Sequence, residues 1–375
     1  MRWTPLWREL YPLGVVCERP DVTGVELLPY WLMFMMWAAG AVQAERQHAQ
    51  SPRKILFVSA AVISGLMIGL RFEVGGDWNN YKRMYESLYF LTLGQAIATT
   101  DIGYAVTNWL GAKTGLGIAF VNSVCAALFM GGLARLAWRQ PNPALAVLVA
   151  VPYLVIVVAM GYTRQAAAIG IICFAIADAS ERKVLRLAIL ISIAALFHKT
   201  AILILPLAMV PIFRRSPLLA AFGAATFAIL FTILIRDTAD TMITNYVQGE
   251  YNSQGAAIRI SMNVVAAMIF IIARDRLIIS SFQKSYWTVC SILSILSVPA
   301  FLSFSASSGI DRISLYMIPL QIIIYSRLPY ILSKNRKAIP SILIGVIGYS
   351  FLVQFVWLMY ADNANSWLPY RLSLT

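Results

Sequence analysis

Residues 143–179 read PALAVLVAVPYLVIVVAMGYTRQAAAIGIICFAIADA. No charge occurs from Pro143 to Thr163, and Arg164 and Asp178 are the charged residues of the whole stretch. Two apolar runs, 143–160 and 164–179, predict two helices joined at the Gly161–Thr163 break. The second covers about 24 Å at 1.5 Å per residue, less than the ~30 Å hydrocarbon core of a bilayer. Its first residue, Arg164, is permanently charged and cannot escape by deprotonation. An ionisable group held below the headgroups costs roughly 3 kcal/mol near the bilayer centre, so it usually faces a partner or a water-filled cavity.

The rest of the chain has the same character. It has 375 residues, 59% hydrophobic and 13% charged, with net charge +13 and mean hydropathy +0.72. A soluble chain carries about 25% charged residues, so a soluble enzyme, a disordered protein and a nucleic-acid binder are excluded. A β-barrel is excluded because the apolar residues form unbroken runs rather than alternating ten-residue segments. Apolar runs fall near 27–44, 55–70, 116–134, 143–160, 164–179, 184–198, 200–213, 218–235, 257–273, 286–304, 313–332 and 338–360. The predicted fold is all-α, a polytopic membrane protein with about twelve transmembrane helices and no internal repeat.

Lys and Arg in the connections set the orientation. With the 45–54 loop (ERQHAQSPRK) in the cytoplasm, alternate loops place 17 bases and 4 acids on that side. The outer side then holds 13 of each, so the whole net charge lies on the cytoplasmic face. The bases are short loop anchors, which removes nucleic acid as a partner despite the high pI. Residues 1–26 have no apolar core and read as a polar N-terminal extension rather than a signal peptide. Residues 27–375 read as a single transmembrane domain with outer-face loops at 71–103 and 236–256. Cys125, Cys173 and Cys290 lie inside spans as small apolar residues. Cys17 is alone, and no spacing suggests a disulfide framework or a metal site.

Five outer-face signals remain. The loop after the second run reads RFEVGGDWNNYKRMYE from Arg71 to Glu86. Gly75-Gly76 allows a tight turn, and Asp77 and Tyr81 then share one helix face at i and i+4. Asp77 reads equally as a helix cap. Arg164-Gln165 opens the short 164–179 span. LFHKT puts His198 and Lys199 at the tip of a hairpin of two short helices, where the bland alternative for His198 is a neutral ring tied to a carbonyl. SSGIDRISLYMIP carries Asp311, Arg312 and Tyr316, with an Asp311 cap as its alternative. NANSWLPYRL carries Trp367, Pro369, Tyr370 and Arg371, which read first as interfacial anchors. The topology count, made without them, puts Arg71, Asp77, Tyr81, Arg164, His198 and Arg312 at one face. Bases converging there beside one carboxylate suit a polyanion. Arg matches phosphate oxygens in bidentate fashion, so the ligand class implied is a lipid phosphate or diphosphate.

Gly75–Tyr81, Arg164-Gln165, Phe197-His198, Arg312–Tyr316 and Trp367–Tyr370, in this order over about 300 residues, resemble the EpsG family of bacterial exopolysaccharide proteins, which are Wzy-like polymerases. The resemblance implies a GT-C-like, multi-pass glycosyltransferase of the bacterial inner membrane with its active site facing the periplasm. The implied reaction moves the growing glycan from undecaprenyl diphosphate to an incoming lipid-linked repeat unit. Implied partners are the undecaprenyl-diphosphate-linked oligosaccharide, membrane lipids, a chain-length regulator and other polysaccharide-assembly proteins. No cofactor or metal is implied.

The site must stabilise negative charge growing on a departing diphosphate, and a base must take the acceptor hydroxyl proton. The candidate catalytic residues are Asp77, His198 and Arg164. The candidate substrate-binding residues are Arg71, Trp78, Tyr81, Gln165, Lys199, Arg312, Tyr316 and Tyr370. Asp77 is favoured over His198 as base, because neighbouring arginines keep a carboxylate charged and disfavour a protonated imidazole. Alternatives are an O-antigen-type ligase, with nearly the same site, and a lipid-linked oligosaccharide flippase, disfavoured by nearly charge-free mid-span positions. A membrane acyltransferase would rely on a His with little need for arginines.

Overall fold

The computed structural model describes residues 24–46, 50–213, 221–232, 255–303, 307–333 and 337–373, together with 216, 218 and 335. Nearly all of the N-terminal extension and of the 236–256 loop lies outside the described residues. The described elements are helical: α1 Gly24–Arg46, α2 Gln50–Gly69, α3 Trp78–Leu88, α4 Leu93–Ile97, α5 Ile102–Thr114, α6 Gly117–Trp138, α7 Pro143–Ala150, α8 Thr163–Ala177, α9 Val184–Phe197, α10 Ile204–Phe213, α11 Ala221–Thr232, α12 Ala256–Ala273, α13 Ser281–Ser303, α14 Ser307–Ser314, α15 Pro319–Ile331 and α16 Pro340–Tyr360.

Five described helices are long and apolar enough to cross a bilayer: Val25–Glu45, α6, α12, α13 and α16. Five more apolar helices are shorter, at 10–17 residues, including Thr163–Ala177 and Val184–Phe197. Most of the difference from the expected twelve comes from these short helices. Large apolar side chains such as Leu32, Ile55, Ile189, Met268, Ile272 and Leu352 are exposed, which an all-helical membrane protein tolerates because lipid, not water, meets them.

The stretch that decides the fold class is also the centre of the bundle. From Pro143 to Gly161 all but Val149 are buried. A helix apolar on every side belongs inside other helices. Beyond Ala150 it widens into π-helical turns over Val151–Ala159. Pro152 sits at the start of these turns and lacks the N–H a regular α-helix needs. Trp367 Nε1 donates to the Ile156 carbonyl inside them, 2.9 Å away. α8 is likewise almost wholly buried and lies against α6, where Gly132 and Gly170 leave no room for a Cβ.

The C-terminal tail closes one end of the bundle. Arg71 and Leu372 form an isolated antiparallel bridge, flanked by Phe72 N–H to Arg371 O (2.9 Å) and Ser373 N–H to Leu70 O (2.6 Å). Gly75 N–H donates to Ser366 O at 2.7 Å. Gly75 has φ +111°, and a Cβ there would overlap the Met160 carbonyl oxygen. Only glycine fits both demands. This turn delivers Asp77 and α3 to the N-terminal end of α8.

Candidate functional site

The site forms where the N-terminus of α8, the start of α5 and the tip after α9 meet. At that tip the chain breaks at His198 (φ −153°, ψ 108°) and continues as a 3-10 turn over Lys199–Leu203 before α10. The hairpin of short helices expected from LFHKT is therefore present.

Its centre is a carboxylate that the sequence reading did not single out. Asp101 occupies the N-cap position of α5, yet its side chain makes no capping bond. Such a residue normally accepts from the first helical turn. Instead, Asp101 Oδ2 accepts from Arg164 NH1 at 2.9 Å, and Oδ1 accepts from the Lys199 backbone N–H at 3.2 Å. Arg164 NH1 also donates to Thr100 Oγ1 at 3.0 Å. The Asp101 side chain is 2% exposed while that of Arg164 is 27% exposed. The pair thus has one hidden member and one that reaches the surface.

His198 Nδ1 lies 3.8 Å from Asp101 Oδ2, beyond hydrogen-bonding distance. Neither its ring nitrogens nor Arg164 Nε has a hydrogen-bond partner among the described residues. The bland alternative, a His198 ring tied to a carbonyl, is not what the structure contains. Burial pushes the imidazole below its usual pKa and outweighs the pull of Asp101, with Arg164 and Arg312 adding to the depression. The ring is therefore neutral at neutral pH. Burial works to raise the Asp101 carboxyl, but its neighbours, among them the Arg164 guanidinium and the Lys199 N–H, outweigh it and hold the group below the ordinary carboxylate range.

Aromatic rings line one wall. The Arg164 guanidinium lies 5.9 Å from the ring centroids of both Tyr81 and Tyr104, which pack edge to face at 5.7 Å. A cation at that distance from a ring is attracted by its quadrupole. Beside this wall Tyr162 joins the site to a second charged group. Burial raises the Tyr162 phenol, Asp77 and Asp311 add to the rise, and Arg259 and Arg312 oppose it. Asp311 does not cap its helix. It pairs with Arg259 through two bonds of 2.7 and 2.6 Å, and Arg259 lies 5.7 Å from the Tyr153 ring.

The six charged and aromatic residues expected at one face do gather at the α8 N-terminus, but in two roles. Tyr81, Arg164, His198 and Arg312 lie around Asp101, Asp77 lies close by at the start of α3, and Lys199, outside that six, adds its backbone N–H. Arg71 requires a correction, because its side chain is not available to a ligand. It is 1% exposed and donates to the carbonyls of Ile68 (2.6 Å) and Val74 (3.2 Å) and to Thr163 Oγ1 (2.7 Å). It ties the 70–75 turn to the start of α8.

Other expected ligand residues also form the frame. Gln165 Nε2 donates to the Arg312 carbonyl at 2.7 Å. The Tyr316 and Thr200 hydroxyls are 3.0 Å apart. Tyr370 donates to Met67 O at 2.8 Å, and Trp78 is buried edge-on to Phe72. Asp77 is half-buried at the α3 N-cap position without a capping bond. Among the described residues no three His, Cys, Asp or Glu side chains form a set able to hold a metal ion.

Fold and site define a helical membrane protein with a basic, aromatic-walled site at one end of its bundle. The chain belongs to the EpsG family, whose signature matches residues 54–372, most of its length. That membership connects it to polysaccharide biosynthesis and to glycosyltransferase-like polymerases. Comparison with curated proteins and with solved structures returns no match.

Proposed function

We propose that the protein is a GT-C-like polysaccharide polymerase of the bacterial inner membrane, working at the periplasmic face. The growing glycan leaves undecaprenyl diphosphate and joins the incoming lipid-linked repeat unit. In this reading the short helices complete about twelve crossings. The observation that carries the proposal is a partly exposed arginine locked to a buried carboxylate, beside a buried histidine with both ring nitrogens unpartnered. The bond between the donor's anomeric carbon and the diphosphate oxygen breaks as the acceptor hydroxyl oxygen attacks that carbon. The hydroxyl proton passes to His198. Arg164 and Arg312 meet the charge left on the diphosphate, and Asp101 positions Arg164 and stabilises the imidazolium.

This changes the preferred base. Arginines oppose a protonated His198, but a histidine base must start unprotonated, and burial of the ring favours that form. Asp101, 3.8 Å away, supplies the countercharge when the proton arrives. In proteoliposomes fed lipid-linked repeat units, His198→Gln should slow chain growth about 10²–10⁴-fold. Asp77→Asn should slow it less than about tenfold on the same scale. The reverse ranking would return the base to Asp77.

Orientation has its own test. Cys125, Cys173 and Cys290 are buried, so Cys17→Ser leaves a quiet background. Glu86→Cys, on the exposed side of α3 near the site, should react in intact cells with a membrane-impermeant thiol reagent. Gln50→Cys and Asn335→Cys should resist it until the membrane is opened. Labelling of the latter two in intact cells would invert the topology. Polymerase and ligase are separated by the glycans of a strain lacking the protein. Single repeat units on lipid indicate the polymerase, and full-length chains stranded on lipid indicate the ligase.

A further inference from the structure

At the opposite end of α8, about 22 Å away by its 15 residues, lies a second basic cluster with no role in the reaction above. A cavity of about 410 Å³ there is lined by Arg139, Arg276, Arg327, Tyr330, Leu277 and Ile331, among others. Its charges are unequally answered. Of the carboxylates at this end, Asp178 is shared between Arg135 and Arg139, Asp275 pairs with Arg274 and Lys284, and Glu45 accepts from Tyr330 and Asn142. Arg327 donates to neutral acceptors: Gln140 Oε1 at 2.8 Å, the Ile278 carbonyl at 3.1 Å and the Arg139 carbonyl at 3.4 Å. A guanidinium has five N–H donors, so two of Arg327's remain beyond these three bonds. Arg276 is exposed and forms no ion pair among the described residues. An arginine serving only as a topology anchor would extend to the surface. Arg327 is instead drawn between the end of α6 and the turn after α12.

We propose that this pocket binds the phosphate of an anionic lipid headgroup. Arginine forks match phosphate oxygens, and basic pockets between helices at this kind of membrane boundary suit such headgroups. The rim favours a lipid over free phosphate. Ile278, which lines the cavity, is 65% exposed, and Ile331 lines it too, which gives acyl chains an apolar surface directly beside the charge. The proposal is independent of the polymerase reading, since none of these residues belongs to the Arg164 site.

The test uses the purified full-length chain, delipidated in detergent, with thermal unfolding as the readout. Phosphatidylglycerol should raise the unfolding temperature saturably, whereas phosphatidylcholine and millimolar inorganic phosphate should not. Arg327→Gln would also remove bonds that hold α15 to α6, so exposed Arg276→Gln is the deciding variant. It should raise the phosphatidylglycerol concentration for half the shift by about tenfold. Lys183→Gln, an exposed base at the same end, should leave it unchanged. Equal shifts in wild type and Arg276→Gln, or no phosphatidylglycerol shift, would overturn the proposal. A saturable shift with inorganic phosphate that the lipid does not reproduce would also overturn it, in favour of a soluble phosphate compound.

Discussion

Arg164→Ala is expected to end glycan polymerisation while the protein still inserts into the membrane. A charge-assisted contact that tightens as the diphosphate departs is worth on the order of 3 kcal/mol, about a hundredfold in rate. Arg164 is also the structural partner of Asp101, whose side chain is 2% exposed. Removing one member of a buried pair strands the other charge, at a cost of about 3–5 kcal/mol in stability. The alanine variant should therefore accumulate to a lower level as well. Two further variants separate these effects. In Arg164→Ala/Asp101→Asn the stranded charge is gone, so protein level should recover while polymerisation stays absent. Arg164→Lys keeps a cation beside Asp101 but cannot make a bidentate phosphate contact, so it should fold normally and remain strongly impaired. Glycan chain length on gels, normalised to protein in the membrane, reads all three. Near-normal chains from Arg164→Ala would remove the diphosphate site from this end of the bundle.

The second large effect concerns how α8 is held. A Cβ at Gly132 would overlap the Gly170 carbonyl oxygen. One at Gly170 would overlap Phe129 Cα and come within 2.5 Å of the Leu128 carbonyl oxygen. Every obstructing atom is backbone, so no side chain can rotate aside. Such close helix approach through small residues is how membrane helices gain packing where lipid offers no hydrophobic contrast. Overpacking typically costs about 1–3 kcal/mol, more when the backbone must move. Gly132→Val and Gly170→Val are expected to yield little monodisperse protein and to lose activity, because separating α6 from α8 displaces Arg164. Gly131 is the internal control. It is exposed and a Cβ there meets nothing within 4 Å, so Gly131→Val should behave like wild type in size-exclusion profile and unfolding temperature. Equal behaviour of the Gly131 and Gly132 variants would contradict the packing described.

Much of this was legible in the chain itself. Low charge and unbroken apolar runs leave all-helical membrane architecture as the workable class, because every backbone polar group must be satisfied within its own segment in lipid. The motifs around Gly75, Arg164, His198 and Arg312 carry the resemblance to the family, whose signature matches residues 54–372, and counting helices between them leads to the expectation that they gather at one end. Arg164 stood out because its charge is permanent and its helix is short. Tertiary structure decided the roles. An Asp just before a helix reads as a cap, so nothing local marked Asp101. Its carboxylate is drawn away from capping only because Arg164 and the Lys199 N–H, 63 and 98 residues onward, arrive beside it. Arg71 looked like a ligand residue for the converse reason. Each of its guanidinium nitrogens is bonded inside the fold, to Val74, Ile68 and Thr163, and the side chain is enclosed. A sequence does not display which carbonyls a turn leaves free. Composition and periodicity report the average surroundings of a side chain, which sufficed for class and membrane. Whether a given charge meets a substrate or a neighbour depends on contacts between segments far apart in the chain, and those exist only once the helices have packed.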